Sequence, residues 1–193
     1  ALHYRLKTVF RDVMLSVCED DGKLLIHATS DLPETKRLRI HLRLIDFNGK
    51  LIAEHNCIEE FNHNRTQLVY QQKLLEFITE EERHRVVLEV RAFEGNHLLY
   101  SNLYYFVKPK ELKLENPDIS MHIEKKFNKV FLFLKTEKLA KNIYLVNIKT
   151  DGFFSENFFD LLPGEDKVVV FEAKENNNFM INDFRFMSLW NCF

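Results

Sequence analysis

Glycine and proline are scarce in this chain of 193 residues, with five and four copies respectively. Such low counts exclude collagen-like repeats and the composition of flexible or proline-rich linkers. Hydrophobic residues make up 46% of the sequence, which is ample for a packed core. The length and composition therefore predict one or two globular domains.

Charge of one sign is also lacking, since the formal net charge is only −2. No overall field would draw nucleic acid or an anionic membrane to the chain. No apolar run approaches the roughly 18–20 residues that span a bilayer. We expect neither nucleic acid nor a membrane as a partner. No signal peptide is visible at Ala1, which lies in a predicted helix, so we interpret the chain as a piece of a longer protein.

Cysteine occurs three times, as Cys18, Cys57 and Cys192, an odd count without the spacing of a zinc knuckle or a Cys-x-x-Cys pair. We interpret these residues as free buried thiols, with a single disulfide as the alternative. The eight histidines include no His-x-x-x-His pair backed by a carboxylate on a predicted helix. We therefore expect no metal site and no cofactor.

Apolar periodicity predicts a helix first and strands thereafter. Leu2, Leu6, Val9, Phe10 and Val13 share one helical face, which predicts a helix over residues 1–13. Alternation and tight turns follow, including an Asn-Gly turn of the kind that joins hairpin strands. The predicted strands of the next region are Met14–Glu19, Lys23–Thr29, Lys36–Ile45, Leu51–Ile58, Gln67–Leu74, Val86–Ala92 and Leu98–Val107. Seven strands in about 95 residues is the density of a β-sandwich.

A second set of strands follows a charged, proline-bracketed segment at residues 109–118, which we interpret as a linker. Its members are Ile119–Glu124, Val130–Thr136, Asn142–Ile148, the two strands within Gly152–Ala173, and Phe179–Trp190. Leu162-Pro163-Gly164-Glu165 fits a type II turn between the two strands of Gly152–Ala173, because proline presets φ and glycine accepts positive φ. We therefore predict an all-β fold of two tandem β-sandwich domains, at residues 14–108 and 119–193, with a short N-terminal helix.

One segment carries a family resemblance. Asp-Gly-Phe-Phe-Ser-Glu-Asn-Phe-Phe-Asp-Leu-Leu-Pro-Gly-Glu at residues 151–165, preceded by Lys-Leu-Ala-Lys-Asn-Ile-Tyr-Leu at 138–145, resembles the C-terminal immunoglobulin-like domain of β-mannosidases of glycoside hydrolase family 2. The first residues, Ala-Leu-His-Tyr with Lys7, Phe10 and Val13, are similar to the end of that family's catalytic barrel. The resemblance implies that residues 1–13 are a helical remnant of the barrel and that both sandwiches are immunoglobulin-like, the first being of a kind related to carbohydrate-binding modules.

The catalytic groups of such an enzyme are not predicted within this chain. A retaining glycosidase uses two carboxyl groups about 5–5.5 Å apart, held in a barrel of alternating strands and helices of about 250 residues. Two clusters of adjacent carboxylates have ordinary explanations. We interpret Glu59-Glu60 as part of a strand whose neighbouring side chains point to opposite faces, and Glu80-Glu81-Glu82 as a charged loop. We assign no catalytic, cofactor-binding or metal-binding residue here. The resemblance implies that the acid and the nucleophile lie upstream of Ala1.

Aromatic side chains provide the candidate carbohydrate-binding residues. Tyr100 and Tyr104, with Tyr105 and Phe106, could form a sugar-stacking platform, although aromatic residues in a strand also serve as core. Trp190 follows Phe184, Phe186 and Ser188 at even spacing, which predicts one shared strand face. We name Tyr100, Tyr104 and Trp190 as the candidate carbohydrate-binding residues, with domain packing as the alternative.

A basic stripe lies on the strand predicted at Lys36–Ile45. Arg37, Arg39, His41 and Arg43 alternate with apolar residues and share one face. This face could bind an acidic partner, or it could be a solvated strand face.

These readings leave three functions open. The first is a non-catalytic support for the catalytic barrel of a β-mannosidase-like enzyme, which would then be the intramolecular partner. The second is a carbohydrate-binding module with an oligosaccharide as partner, and the third is a stand-alone two-sandwich protein such as a periplasmic pilus chaperone. The family resemblance implies a periplasmic, secreted or lysosomal location and leaves the compartment unknown.

Overall fold

The computed structural model describes residues 4, 11–127, 129–174 and 180–192, and these residues confirm the all-β prediction. The helix predicted over residues 1–13 falls mostly outside them: Tyr4 is helical, whereas Val13 opens the first strand with a buried side chain. The helix prediction was therefore wrong at Val13, because this side chain joins a sheet core.

Fourteen strands and five short 3₁₀ helices are present in the described residues. The strands are β1 Val13–Asp20, β2 Lys23–Ser30, β3 Lys36–Asp46, β4 Leu51–Phe61, β5 Arg65–Lys73, β6 Val86–Glu94, β7 His97–Tyr104, β8 Ser120–Lys126, β9 Lys129–Lys135, β10 Ala140–Asn147, β11 Gly152–Phe154, β12 Phe159–Leu161, β13 Lys167–Ala173 and β14 Phe184–Met187. The 3₁₀ helices are Leu74–Glu76, Glu82–His84, Pro109–Glu111, Ile181–Asp183 and Leu189–Cys192. None of these helices is long and apolar enough to cross a membrane.

The chain divides into two compact units. One comprises Leu6–Asp46 and Lys50–Lys113, and the other comprises Ala1–Arg5, Phe47–Gly49 and Leu114–Phe193. We call them the N-terminal and the C-terminal unit.

The N-terminal unit is a sandwich of two antiparallel sheets. One sheet has the strand order β1-β2-β5 and the other β4-β3-β6-β7. The predicted alternation of β3 is confirmed, since Leu38, Ile40, Leu42 and Leu44 are all buried in the core between the sheets. The predicted Asn48-Gly49 turn joins β3 to β4, with φ of +90° at Gly49. The Asp20-Asp21-Gly22 sequence is also typical of a hairpin turn, and it joins β1 to β2 with φ of +68° at Gly22.

The alternation of Val86, Leu88, Val90 and Ala92 with Val87, Glu89 and Arg91 predicts a half-buried strand. In the structure, both faces of β6 are buried over most of its length. Val87 is fully buried, and the Glu89 side chain is only 2% exposed. Arg43 and Arg91 both form ion pairs with Glu89, so the charge of this carboxylate is compensated. The alternation of polar and apolar residues could not predict this second buried face. A glutamate in the sequence is expected to be exposed, because its ion-pair partners cannot be recognised from the sequence.

The C-terminal unit is a second antiparallel sandwich, with sheets of order β12-β10-β14 and β11-β13-β9-β8. Its core consists of Leu132, Leu134, Ile143, Val169 and Phe171 with their neighbours. The predicted type II turn is supported, since the Glu165 N–H donates to the Leu162 carbonyl at 3.2 Å and Gly164 has φ +76°.

The strands on either side of this turn nevertheless lie in opposite sheets. The first predicted strand is broken into β11, which pairs with β13, and β12, which pairs with β10. The turn between β12 and β13 is therefore a crossover rather than a hairpin. The break occurs at Asn157 and Phe158, where Phe158 adopts φ +59°.

The last predicted strand is shorter than expected. Only Phe184–Met187 forms β14, and Trp190 lies in the 3₁₀ helix Leu189–Cys192 rather than on the face shared by Phe184 and Phe186. The side chain of Asn191 accepts hydrogen bonds from the Ser188 N–H at 2.8 Å and the Ser188 hydroxyl at 3.2 Å. Such local bonds compete with strand pairing and end the strand.

Candidate functional site

Tyr100 on β7 belongs to the core of the N-terminal unit. Its side chain is 7% exposed and it packs in the same cluster as Phe106. A ring buried to this extent has little surface to offer a sugar, so its observed environment matches the core alternative.

Tyr104 at the end of β7 is half-buried and is held by a polar cluster. Its hydroxyl donates to Glu19 Oε1 at 3.0 Å, and its ring meets the edge of Phe106 with centroids 5.3 Å apart. Arg83 forms ion pairs with both Glu19 and Glu80. Burial raises the pKa of the Tyr104 phenol, and the hydrogen bond and negative charge of Glu19 raise it further. The hydroxyl is thus engaged within the chain.

Trp190 has the most accessible ring of the three candidates, at 37% exposed. It lies in the C-terminal unit, whereas Tyr100 and Tyr104 lie in the N-terminal unit. Binding of a sugar by any of the three stays a prediction, and Trp190 is the one whose exposure permits stacking.

Three of the four side chains in the basic stripe of β3 have partners within the same sheet. Arg43 Nε donates to Glu89 at 2.6 Å, and His41 Nε2 lies 2.5 Å from Glu54. The guanidinium of Arg39 lies 4.2 Å from the centroid of the Phe93 ring, as in a cation–π contact. These contacts favour the solvated strand face over a site for an acidic partner.

The carboxylate clusters serve local structure. Glu59 pairs across the sheet with Leu38 and Glu60 with Arg37, so the two carboxylates point to opposite faces of β4.

In the acidic loop, the Thr79 N–H donates to Glu82 at 2.9 Å and the Glu82 N–H to the Thr79 hydroxyl at 3.3 Å, which forms a capping box. The Thr79 N–H and the Thr79 hydroxyl, which donates to the same Glu82 carboxylate oxygen at 2.7 Å, lower the pKa of Glu82, whereas a general acid needs a raised one.

A polar cluster that the sequence did not reveal lies within the family-like segment. Asn157 is buried, accepts from the Leu145 N–H at 2.8 Å and donates to the Leu145 carbonyl at 2.8 Å. Asp160 accepts from the Asn142 N–H at 2.7 Å and from Lys141 Nζ at 3.0 Å. The arrangement holds the irregular part of β10, where the pairing shifts register. We call these four residues (Lys141, Asn142, Asn157 and Asp160) the bulge cluster.

The cysteines are free, and two of them differ from the prediction. Cys18 and Cys192 are exposed, and Cys57 is half-buried, so the interpretation of all three as buried was wrong. Cys18 and Cys192 lie on an outward-facing strand position and in a terminal 3₁₀ helix, where no core surrounds them. Burial raises the pKa of the Cys57 thiol. In the described part of the chain, no cluster of three metal-ligating side chains occurs.

Comparison with known proteins identifies both units. Residues 22–111 match the family model described as a mannosidase Ig/CBM-like domain, and residues 114–192 match that of an Ig-fold domain. β-Mannosidase A of Neosartorya fischeri is 26% identical over 192 residues, which cover 91% of this chain and 20% of that protein. β-Mannosidase A of Aspergillus terreus is 27% identical over 213 residues, covering 98% of this chain and 22% of that protein. The chain thus spans about a fifth of the length of these relatives.

Solved structures share the fold. The β-D-mannosidase of Dictyoglomus thermophilum superposes with a TM-score of 0.76 and 20% identity, covering 96% of this chain and 22% of that one. The exo-chitosanase of Amycolatopsis orientalis gives a TM-score of 0.57 with 8% identity, covering 97% of this chain and 26% of that one. At these identities the likeness establishes the all-β fold of two Ig-like units and nothing about activity.

Proposed function

Because the chain consists of a mannosidase Ig/CBM-like domain followed by an Ig-fold domain, we propose that it is the non-catalytic C-terminal part of a β-mannosidase-like glycoside hydrolase. In this proposal the parent enzyme hydrolyses the O-glycosidic bonds of β-mannosides. The two sandwiches support its catalytic barrel, which is their intramolecular partner. The observation that carries the proposal is the tandem of the two matched domains.

The chemistry of the described residues supports a structural role. Glu82 caps the acidic loop and Glu80 forms an ion pair with Arg83. Glu59 and Glu60 point to opposite faces of β4. The bulge cluster fixes backbone. A retaining mechanism needs two carboxyl groups close together, and these local structural roles favour the non-catalytic function that we propose.

Activity measurements on the chain and on its parent test this function. The purified chain should not hydrolyse an aryl β-mannoside, and the full-length parent should. Removal of residues 14–193 from the parent should lower its thermal midpoint and its kcat/KM, because the barrel loses packed surface. Hydrolysis by the chain alone would refute the non-catalytic role, and a truncated parent as stable and active as the intact one would refute the supporting role.

Oligosaccharide binding is a second candidate that the exposure of Trp190 favours. Since Trp190 is the only tryptophan, its fluorescence reports directly on stacking at that position. A titration with manno-oligosaccharides should give a saturable change if the ring binds sugar, and Trp190→Ala should abolish the binding measured by calorimetry. Trp190 fluorescence that does not change as manno-oligosaccharide is added would contradict sugar binding at this residue.

A further inference from the structure

The outer face of the sheet β11-β13-β9-β8 carries four apolar side chains at its centre. Phe131 and Phe133 on β9 alternate with the buried Val130, Leu132 and Leu134, so they point away from the core. On β13, Val168 and Val170 do the same, and Val168 is 47% exposed. The register pairs Phe131 with Val170 and Phe133 with Val168.

Charged residues bracket this apolar centre along both strands. Lys129 forms an ion pair with Glu172 at 2.6 Å, and Lys135 forms one with Asp166 at 3.0 Å. All four charged side chains are exposed. The outward residues therefore follow the order Lys-Phe-Phe-Lys along β9. On the neighbouring β13 they are Glu172, Val170 and Val168, and Asp166 lies just before that strand.

The outward-facing residues along β9 are complementary to those along β13. A two-fold axis parallel to the strands, between β9 and β13, lays β9 of one copy over β13 of a second copy at the same height along the strand. Each phenylalanine then meets a valine, and each lysine meets a carboxylate. Because a two-fold interface must be self-complementary, this pattern fits a second copy of the same chain. We propose that this face is a homodimer interface in which the two sheets pack face to face.

The flanking strands follow the same symmetry. The two-fold rotation places β8 of one copy over β11 of the second copy. The strand register then brings Lys126 of one copy level with Phe153 of the other along the strand direction. Phe153 is among the most exposed large apolar side chains in the described residues. A lysine above this ring would form a cation–π contact across the interface.

The size of the face sets the strength of the dimer. Four strands about 4.8 Å apart and about seven residues long at about 3.3 Å each give a face of about 400 Å² per copy. Two such faces bury about 800 Å², which is below the roughly 1,200 Å² of standard specific interfaces. We therefore expect a reversible dimer whose population depends on concentration.

Sedimentation of the 193-residue chain tests the interface. The wild-type chain should shift from monomer to dimer over roughly 1 µM to 1 mM, the range of weak complexes. Lys129→Glu places Glu opposite Glu172 of the second copy, and Glu172→Lys places Lys opposite Lys129. Each change creates two like-charge pairs by symmetry and should weaken dimerisation by about tenfold or more. Lys73→Glu, a reversal at an exposed residue of β5, is the matched control and should leave dimerisation unchanged.

A mixture of the two charge-reversed chains separates an interface from a purely structural effect. In a heterodimer of Lys129→Glu with Glu172→Lys, every cross-copy charge pair is again of opposite sign. Dimerisation should therefore return to the wild-type level on mixing. The ion pair within each chain stays broken, so a fault of folding would not be repaired.

Three results would overturn the proposal. They are a wild-type chain that stays monomeric over the whole range, a dimer unaffected by either reversal, and a mixture that stays monomeric. A monomeric chain whose Phe131 and Phe133 resonances shift on addition of a manno-oligosaccharide would assign the face to a saccharide instead. The readout is the mass of the complex, so its outcome is independent of the proposed function of the parent.

Discussion

Asn157 shows how one side chain can replace a missing strand neighbour. Its amide accepts from the N–H and donates to the carbonyl of Leu145, as the backbone of a paired strand would. The same oxygen accepts from the Phe158 N–H at 3.0 Å, at the residue where φ turns positive. One residue therefore satisfies the backbone of β10 and breaks the preceding strand.

Replacement of Asn157 by Ala should be strongly destabilising. The change leaves the buried N–H and carbonyl of Leu145 without partners, which should lower the free energy of unfolding by about 2–4 kcal/mol. Chemical denaturation monitored by circular dichroism measures the loss. Asn102→Ala, at an exposed position of β7, is the control and should cost less than about 0.5 kcal/mol. Equal effects of the two changes would contradict the role of Asn157.

Tyr104 should make stability depend on alkaline pH. Its pKa is raised in the folded state by burial and by Glu19. Below about pH 10 both states keep the phenol protonated, and this group adds no pH dependence. Above that pH the unfolded chain releases a proton that the folded chain retains, so stability falls as pH rises.

The thermal midpoint measured from pH 8 to pH 11 should therefore fall more steeply for the wild-type chain than for Tyr104→Phe. Parallel profiles for the two proteins would show that the phenol ionises alike in both states.

Residue-scale roles were the least predictable from the sequence. The partners of Asn157 and Tyr104 lie 12 and 85 positions away, so no local pattern reports them. The burial of Glu89 depends likewise on Arg43, a residue 46 positions earlier. For the same reason the aromatic candidates Tyr100 and Tyr104 could be named from the sequence, but their depth in the core could not.

At the scale of elements, two glycines of the C-terminal unit are needed for different reasons, one in the turn between β12 and β13 and the other in β11. Gly164 sits in the turn at φ +76° with open space around its α-carbon. Gly152 has no unusual φ, but an added Cβ would lie against the Phe171 ring and 2.5 Å from the Glu172 carbonyl oxygen. Position 164 therefore requires glycine for its left-handed backbone conformation. Position 152 requires glycine because there is no room for a Cβ atom.

Alanine substitutions should separate these two requirements. Gly164→Ala should cost about 1 kcal/mol of unfolding free energy, the price of a left-handed conformation for a residue with a side chain. Gly152→Ala should cost more, about 3 kcal/mol, because β11 must move away from β13. Urea denaturation of both variants measures the order, and a larger loss for Gly164→Ala would contradict this account.

Regular strands were predictable because alternation is a local signal. β1, β2, β3 and β4 begin and end within about three residues of the positions that the pattern predicts. Strand pairing was less accessible: the turn at Leu162–Glu165 was recognised, but its flanking strands enter opposite sheets. Trp190 left the predicted strand because Ser188 and Asn191 bond to each other, a choice that even spacing does not report.

On the scale of the whole molecule, each unit encloses a core of its own between a three-stranded and a four-stranded sheet. Leu88 is fully buried in the N-terminal core and Leu132 in the C-terminal core. Each leucine is therefore a probe of one unit.

Leu88→Ala and Leu132→Ala should each cost about 2–5 kcal/mol through lost burial and a cavity. Since the two side chains share no core cluster, the double variant should lose the sum of the single losses within about 0.5 kcal/mol. Scanning calorimetry of the four proteins provides the values. A deviation from additivity well above about 0.5 kcal/mol would show that a substitution in one core changes the stability of the other.

The crossover at Pro163-Gly164 also determines where foreign sequence can be inserted. A peptide tag placed in the Asp21-Gly22 turn would lengthen the connection between neighbouring strands of one sheet, whose pairing would hold the ends together. The same tag at Pro163-Gly164 would separate strands that belong to different layers and have no shared hydrogen bonds. For reporter fusions or epitope tags, the turn at Asp21-Gly22 is therefore the permissive site.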